Sequence, residues 1–161
     1  MELELREWQP GDVPVMTRIW NQVLDCGDAF PGDTPLSEAE MQQLLSAQTK
    51  AVCACVDTAV AGLFILHPNN IGRCSHVANA SYAVDPAFRG HSIGKKLVKA
   101  SLEIAKQCGF RGMQFNAVVV GNTVALSLYD QLGFQRIGTI PGGFRLKDGS
   151  YSDMLILYHP L

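Results

Sequence analysis

What the 161-residue sequence lacks narrows its class at once. It has no basic excess: 13 lysines and arginines stand against 15 aspartates and glutamates, a formal net charge of −2. A general nucleic-acid binder carries the opposite balance, so no nucleic-acid partner is expected. No apolar run reaches membrane-spanning length, and Met1-Glu2-Leu3-Glu4 carries no signal-peptide pattern. No membrane partner is therefore expected, and the cytoplasm is the default compartment. The five cysteines (Cys26, Cys53, Cys55, Cys74 and Cys108) are odd in number and show no Cys-x-x-Cys spacing. They read as reduced thiols, mostly small buried hydrophobes, with Cys53 and Cys55 on the same side of one strand. His67, His76, His91 and His159 have no ligand-like spacing among themselves or with the cysteines, so no metal site is expected. Repeats, low-complexity tracts and linkers are also missing. The length suits one domain over residues 1–161, large enough for a real core.

What is present centres on residues 84–97, Val-Asp-Pro-Ala-Phe-Arg-Gly-His-Ser-Ile-Gly-Lys-Lys-Leu. Residues 75–84 before it are small and apolar and read as a strand, which Pro86 stops. After it, Ile93, Leu97, Ala100, Ser101, Ile104, Ala105 and Cys108 form an apolar stripe at helical spacing. The first amides of a helix have no internal partner and sit at the positive end of its dipole. Such an end binds phosphate when the backbone can approach it. Gly90 and Gly94 remove obstructing side chains, Ser92 is small and can donate, and Arg89 adds positive charge.

The remaining elements follow the same signals. Residues 2–8 read as a first strand, and Asp12 as a cap for a helix over 13–24 with Val15, Ile19, Trp20, Val23 and Leu24 inward. Residues 26–35 form a loop, and Ser37-Glu38-Ala39-Glu40 is a capping box for a helix reaching about Gln48. Residues 51–56 and 60–67 make a hairpin. A helix over 92–108 ends at Gly109. Strands are expected over 113–120, 134–140 and 151–158, with Pro141-Gly142-Gly143-Phe144 as a flexible loop and Asp148-Gly149 as a tight turn. Between the first two of these, Asn122 caps a helix whose apolar face is Val124, Ala125, Leu128 and Leu132, and Gly133 supplies its left-handed end.

Two of these stretches carry a family resemblance. Arg89-Gly90-His91-Ser92-Ile93-Gly94 after Val84-Asp85-Pro86 resembles the acyl-CoA loop of the GNAT superfamily of N-acetyltransferases, with Ser92 where the family usually has glycine. Any left-handed backbone at Ser92 would be less comfortable than with glycine. About thirty residues on, Asn122-Thr123-Val124-Ala125-Leu126-Ser127-Leu128-Tyr129-Asp130-Gln131-Leu132-Gly133-Phe134 is similar to the family's Asn-x-x-Ala-x-x-Leu-Tyr-x-x-x-Gly-Phe. Two patterns in the right order make chance agreement a poor explanation. The resemblance covers residues 50 to 158. It implies an α/β fold with a mixed, mostly antiparallel sheet of six to seven strands flanked by about four helices. It also implies acetyl-CoA as cosubstrate.

The resemblance further implies the site. Backbone groups of Tyr82, Ala83 and Val84 would pair with the pantetheine arm as an added strand. Amides from Arg89 through Gly90, His91, Ser92 and Ile93 to Gly94 would hold the pyrophosphate, and Lys95, Lys96 and Lys99 could reach a remaining phosphate, against the better-supported alternative of a solvated helix face. Asn122 and Ala125 would touch the cofactor. Tyr129 would act as general acid toward the departing thiolate; a packed core tyrosine is the alternative. Many relatives carry a glutamate base where this sequence has Asn79, which can orient a group but not accept a proton. Asn79 and Asn116, on adjacent inner strands, suggest either a polar acceptor pocket or a pair of core amides. His76 is the nearby titrating side chain, though strand alternation points it to the other face. The resemblance also places the acceptor pocket beside residues 26–48, so that Phe30 could contact substrate, against the alternative of a solvated connection with one apolar anchor. The expected activity is transfer of an acetyl group to a primary or secondary amine of a small, amino-acid-like molecule. The alternatives are a protein N-terminal or lysine acetyltransferase and a non-catalytic acyl-CoA sensor. A homodimer is common among members of that family.

Overall fold

The computed structural model describes residues 2–161. Seven strands form one sheet in the order β1-β2-β3-β4-β5-β7-β6. They are β1 (Leu3–Glu7), β2 (Lys50–Val56), β3 (Ala59–Pro68), β4 (Val77–Val84), β5 (Gly112–Val119), β6 (Gln135–Arg145) and β7 (Tyr151–Pro160). Four helices flank them: α1 (Val13–Cys26), α2 (Glu38–Ser46), α3 (Ile93–Gln107) and α4 (Thr123–Gln131). Every neighbouring pair is antiparallel except β4 and β5. Among the described residues, no helix is long and apolar enough to cross a membrane.

Two apolar layers cover the sheet. On one face, Val52, Ala54, Phe64, Leu66, Ala78 and Ala80 pack with Ile93, Leu97, Val98 and Ala105 of α3 and Leu126 of α4. On the other, Cys53, Cys55, Leu63, Ile65 and Ala83 pack with Val13, Met16, Ile19 and Trp20 of α1 and Met41 and Leu45 of α2. Strand alternation explains the division, since successive side chains point to opposite faces. Burying one large aliphatic side chain of this kind stabilises the fold by about 1.5–3 kcal/mol. Ser37 accepts from the Glu40 amide at 3.1 Å and Glu40 returns to the Ser37 amide at 3.0 Å, so the capping box forms as read.

Some sequence expectations need correction. Asp12 does not cap α1 with its side chain. Its carboxylate instead takes two bonds from Arg6, at 2.8 and 2.9 Å, and one from the Gln9 amide at 2.8 Å. Met16 takes the fully buried place on α1, while Val15 is half-buried. On α4 the buried residue is Leu126, and Val124 is 81% exposed, because Ala125, Leu126 and Tyr129 hold the inward positions. Cys108 is exposed rather than part of the α3 stripe. The Pro-Gly-Gly segment is no flexible loop. β6 runs through it and resumes pairing with β7 at Phe144, with Gly142 at φ +59° and its amide held by Asp153 at 2.9 Å.

Two predictions arise from this layer. The Arg6 hydrogen bonds hold the Asp12 carboxyl below its ordinary range. A depressed carboxylate stabilises the fold above its unfolded-state value, near pH 3.9, and that stabilisation is lost as pH falls through the lower folded value. Asp12→Asn should therefore cost about 3 kcal/mol at pH 7 in a denaturant titration, and stability should then depend less on pH in acid. Cys53 is fully buried, and burial pushes its thiol up to about 12; Cys55 is buried too. Cys26, Cys74 and Cys108 are exposed. A thiol reagent at neutral pH should modify these three rapidly and reach Cys53 and Cys55 only on unfolding.

Candidate active site

The sheet opens where β4 leaves β5. The two strands pair only at Val77–Gly112 and Ala78–Met113 and then separate. Gly112 suits this junction because any Cβ there would overlap the Tyr158 ring. Just beyond it, β5 is irregular between Phe115 and Val118, so Asn116 and Ala117 together span one position of β7. A cavity of about 280 Å³ occupies the opening. Asn79, Ala80, Ser81 and Tyr82 line it from β4, Phe115 to Val119 from β5, and Asn122, Ala125 and Tyr129 from α4 and its start. Asp28, Ala29, Phe30 and Pro31 line it from the loop after α1, and His67 and Asn69 from the end of β3 and the turn beyond.

One wall is aromatic. Phe115 lies 4.8 Å from Tyr129 and 4.8 Å from Phe134, with Tyr82 edge-on at 5.9 Å. Burial pushes the Tyr129 phenol up to about 12, so it stays protonated throughout the neutral range. Its hydroxyl bonds no described residue, whereas that of Tyr82 bonds Ser101 Oγ at 2.7 Å. Ser101 Oγ donates onward to the Val98 carbonyl, so the Tyr82 O–H is the donor of that pair. Burial raises the Tyr82 phenol well above its ordinary value.

The opposite wall is an amide network. Asn79 Nδ2 donates to the Gln114 carbonyl at 3.0 Å and to Asn69 Oδ1 at 3.2 Å. Asn116 Nδ2 donates to the same Asn69 oxygen at 2.6 Å and Asn116 Oδ1 accepts from Gln114 Nε2 at 2.9 Å. The Asn79 amide thus spans the opening where the ladder has ended. Its two hydrogens are used, and Oδ1 remains as an acceptor on the cavity. Asn116 is exposed rather than a core amide, because strand alternation puts Met113 and Phe115 on the core face and Gln114 and Asn116 on the other. His76 is exposed and off the cavity. Sequence reasoning missed Asn69, Asp28 and His67; loop and strand-end positions carry no periodic signal that would find them.

Phe30 lines the cavity and stacks on Trp20 at 4.2 Å. Its loop is clamped by Asn21, which donates to the Leu36 carbonyl and accepts from the Leu36 amide, both at 2.9 Å.

Ala83 is buried and Val84 half-buried at the end of β4. The turn after them is anchored by Asp85, 4% exposed, which accepts from the Ala87 amide at 2.9 Å and from Arg18 at 3.1 Å. Arg89, Gly90, His91 and Ser92 are exposed, as are Lys95 and Lys96; Gly94 is half-buried and Ile93 buried under α3. Gly90 has φ +86° and Ser92 φ +57°, the left-handed region that serine adopts at a cost of about 1–2 kcal/mol. Ser92 makes no side-chain cap bond, so the first α3 amides face solvent without a capping side chain. Ser92→Val should cost about 1–3 kcal/mol in a thermal melt, whereas Ser92→Gly should not. At the other motif, Asn122 Oδ1 accepts from the Ala125 amide at 3.3 Å, and Gly133 ends α4 at φ +90°.

The sheet thus splits beside the start of α3 with Tyr129 lining the gap, on a fold shared with solved N-acetyltransferases. The sequence profile of the acetyltransferase (GNAT) family matches residues 16–134. The chain belongs to that family, and is an N-acetyltransferase with acetyl-CoA as donor. It is 28% identical to the N-acetyltransferase aca1 of Schizosaccharomyces pombe, over 89% of this chain and 78% of that protein. Other curated relatives align over only 13% to 51% of their own lengths. Among solved structures, a GCN5-related N-acetyltransferase from Kribbella flavida superposes with a TM-score of 0.91 at 32% identity, covering 99% of this chain and 98% of that one. A phosphinothricin acetyltransferase from Sinorhizobium meliloti in complex with acetyl-CoA gives 0.91 at 26% identity, covering 100% and 89%.

Proposed function

We propose that residues 1–161 form a single catalytic domain that acetylates a primary or secondary amine of a small, amino-acid-like molecule. The observation that carries this reading is the cavity of about 280 Å³, which puts Tyr129 on the same walls as the amides of Asn69, Asn79 and Asn116. Such a volume with a few convergent polar groups suits a small polar acceptor.

In this reading the backbone of Tyr82, Ala83 and Val84 pairs with the pantetheine arm along the free edge of β4. The amides from Arg89 to Gly94 take the pyrophosphate, with Lys95 beside them. Asn122 and Ala125 flank the arm from α4. Phe30 packs on the acceptor, and Asn79 Oδ1 accepts from its N–H and aims the nitrogen lone pair. Attack on the thioester carbonyl builds negative charge on oxygen and then on sulfur. The oxygen is met by a main-chain donor near Val84. The sulfur is met by the Tyr129 hydroxyl. A thiol titrates near pH 8.5, well below the Tyr129 phenol at about 12. Tyr129 therefore acts by donating a hydrogen bond to the leaving sulfur, more than by surrendering its proton outright.

The test is calorimetric titration with acetyl-CoA, followed by a thiol-release screen across small amines, peptides and a lysine-containing protein. Binding together with thiol release on amino-acid-like amines is expected. Binding with no turnover on any amine would favour a sensor, and turnover on peptides alone would favour a protein acetyltransferase.

A further inference from the structure

We propose that His67 is the base that takes the proton from the acceptor amine; this rests on the acetyl-transfer reading of the cavity. His67 and Asn79 are Cα partners across β3 and β4. Directly opposed residues of an antiparallel pair present their side chains on one face. His67 therefore stands beside the position where a carboxylate base would be expected and an amide is found. It lines the same cavity as Asn69, Asn79, Asn116 and Phe30.

The ring is oriented. His67 Nδ1 lies 2.9 Å from the Pro68 carbonyl oxygen, which can only accept. Nδ1 therefore carries the hydrogen, and in the neutral ring Nε2 presents a bare lone pair. Nε2 bonds no described residue. The two phenols on the cavity are poorly suited to the task. The Tyr82 and Tyr129 phenols are both raised by burial and remain protonated. Asp28, on the loop after α1, also lines the cavity, but it is exposed and makes no contact with Asn79 or Asn116. No lysine or arginine lines the cavity. On the strand at the other side of β3, Lys50 pairs with Leu66 and bonds Glu7 at 2.8 Å. Alternation places Lys50 on the face opposite His67.

The step balances without a further reagent. The acceptor ammonium gives one proton to Nε2, directly or across one water. The freed nitrogen pair forms the C–N bond to the thioester carbonyl. The carbonyl re-forms as the C–S bond breaks, and that electron pair leaves on sulfur. The amide nitrogen sheds its second proton, which neutralises the thiolate. The imidazolium returns its own proton to solvent. The sum is thioester plus ammonium giving amide, thiol and one released proton.

The experiment is a pH series of kcat/KM for the best amine of the screen, with wild type, His67→Asn and His67→Ala, and acetyl-CoA affinity measured on each. Wild type should show an acidic limb, where the base takes up its proton before the amine does. His67→Asn should lose about 100- to 1,000-fold at neutral pH and lose that limb, with acetyl-CoA affinity unchanged. Added imidazole should restore part of the rate to His67→Ala. A merely structural histidine would shift neither the limb nor the rescue. If the variants keep the limb, or fall equally at every pH without rescue by imidazole, His67 is not the base while the acetyl-transfer reading stands. Absence of thiol release from wild type with every amine would overturn that reading and the base with it.

Discussion

Tyr129→Phe is expected to lower kcat about 100-fold, the scale at which a positioned donor to a developing charge acts. The phenol is the one group on the aromatic wall with a free hydroxyl, since Tyr82 spends its own on Ser101. Phenylalanine keeps the ring between Phe115, at 4.8 Å, and Phe134, at 5.4 Å, so the wall should stand and acetyl-CoA affinity should change by less than about threefold. A loss in kcat without a loss in binding marks an interaction made in the transition state. With the phenol at about 12, its titration lies above the working range, so the defect should be the same across neutral pH. Rapid-quench measurement of thiol release and calorimetric binding check both halves. A variant whose kcat stays within about threefold of wild type at every pH would remove Tyr129 from the chemistry.

Much of this site was legible in the sequence because its parts obey local rules. Asn122 announces a cap, Gly133 a left-handed end, and Asp85-Pro86 a strand stop; each does that work through its own backbone and near neighbours. Ser92 does take the left-handed backbone at which serine is less comfortable than glycine. What the sequence hid depends on longer-range geometry. The irregularity in β5 sets two residues, Asn116 and Ala117, against one position of β7, and no pattern within residues 113–120 declares it. Asn69 lies in a turn, yet its single side-chain oxygen collects both Asn79 and Asn116 from different strands. Asp12 looked like a cap because of its place before α1. Arg6, six residues earlier and on β1, outcompetes the helix amides for it with two charge-assisted bonds.

Phe115→Ala should be the most damaging single change to both fold and rate. Phe115 is 5% exposed and touches three aromatic rings: Phe134 stacked at 4.8 Å, Tyr129 tilted at 4.8 Å and Tyr82 edge-on at 5.9 Å. Truncating a buried phenylalanine costs about 3–5 kcal/mol, from lost transfer energy and the cavity left behind. Here the loss falls at the last residue of β5 before its irregular stretch, where β7 is the paired neighbour and β4 has already moved away. The sheet therefore has little to close the void with. Tyr129 would lose the ring that fixes its orientation, and a hydroxyl loosened by an ångström forfeits much of its effect on rate. Phe115→Leu separates the two consequences. It keeps most of the apolar volume, so the stability cost should shrink to about 1–2 kcal/mol. The flat face against Tyr129 is gone, so kcat should still drop about tenfold in the folded fraction. Urea denaturation gives the first quantity and thiol release on native protein gives the second. A leucine variant with wild-type kcat would show that Tyr129 is positioned without Phe115, and an alanine variant with wild-type stability would show that the opening is not held by this aromatic cluster.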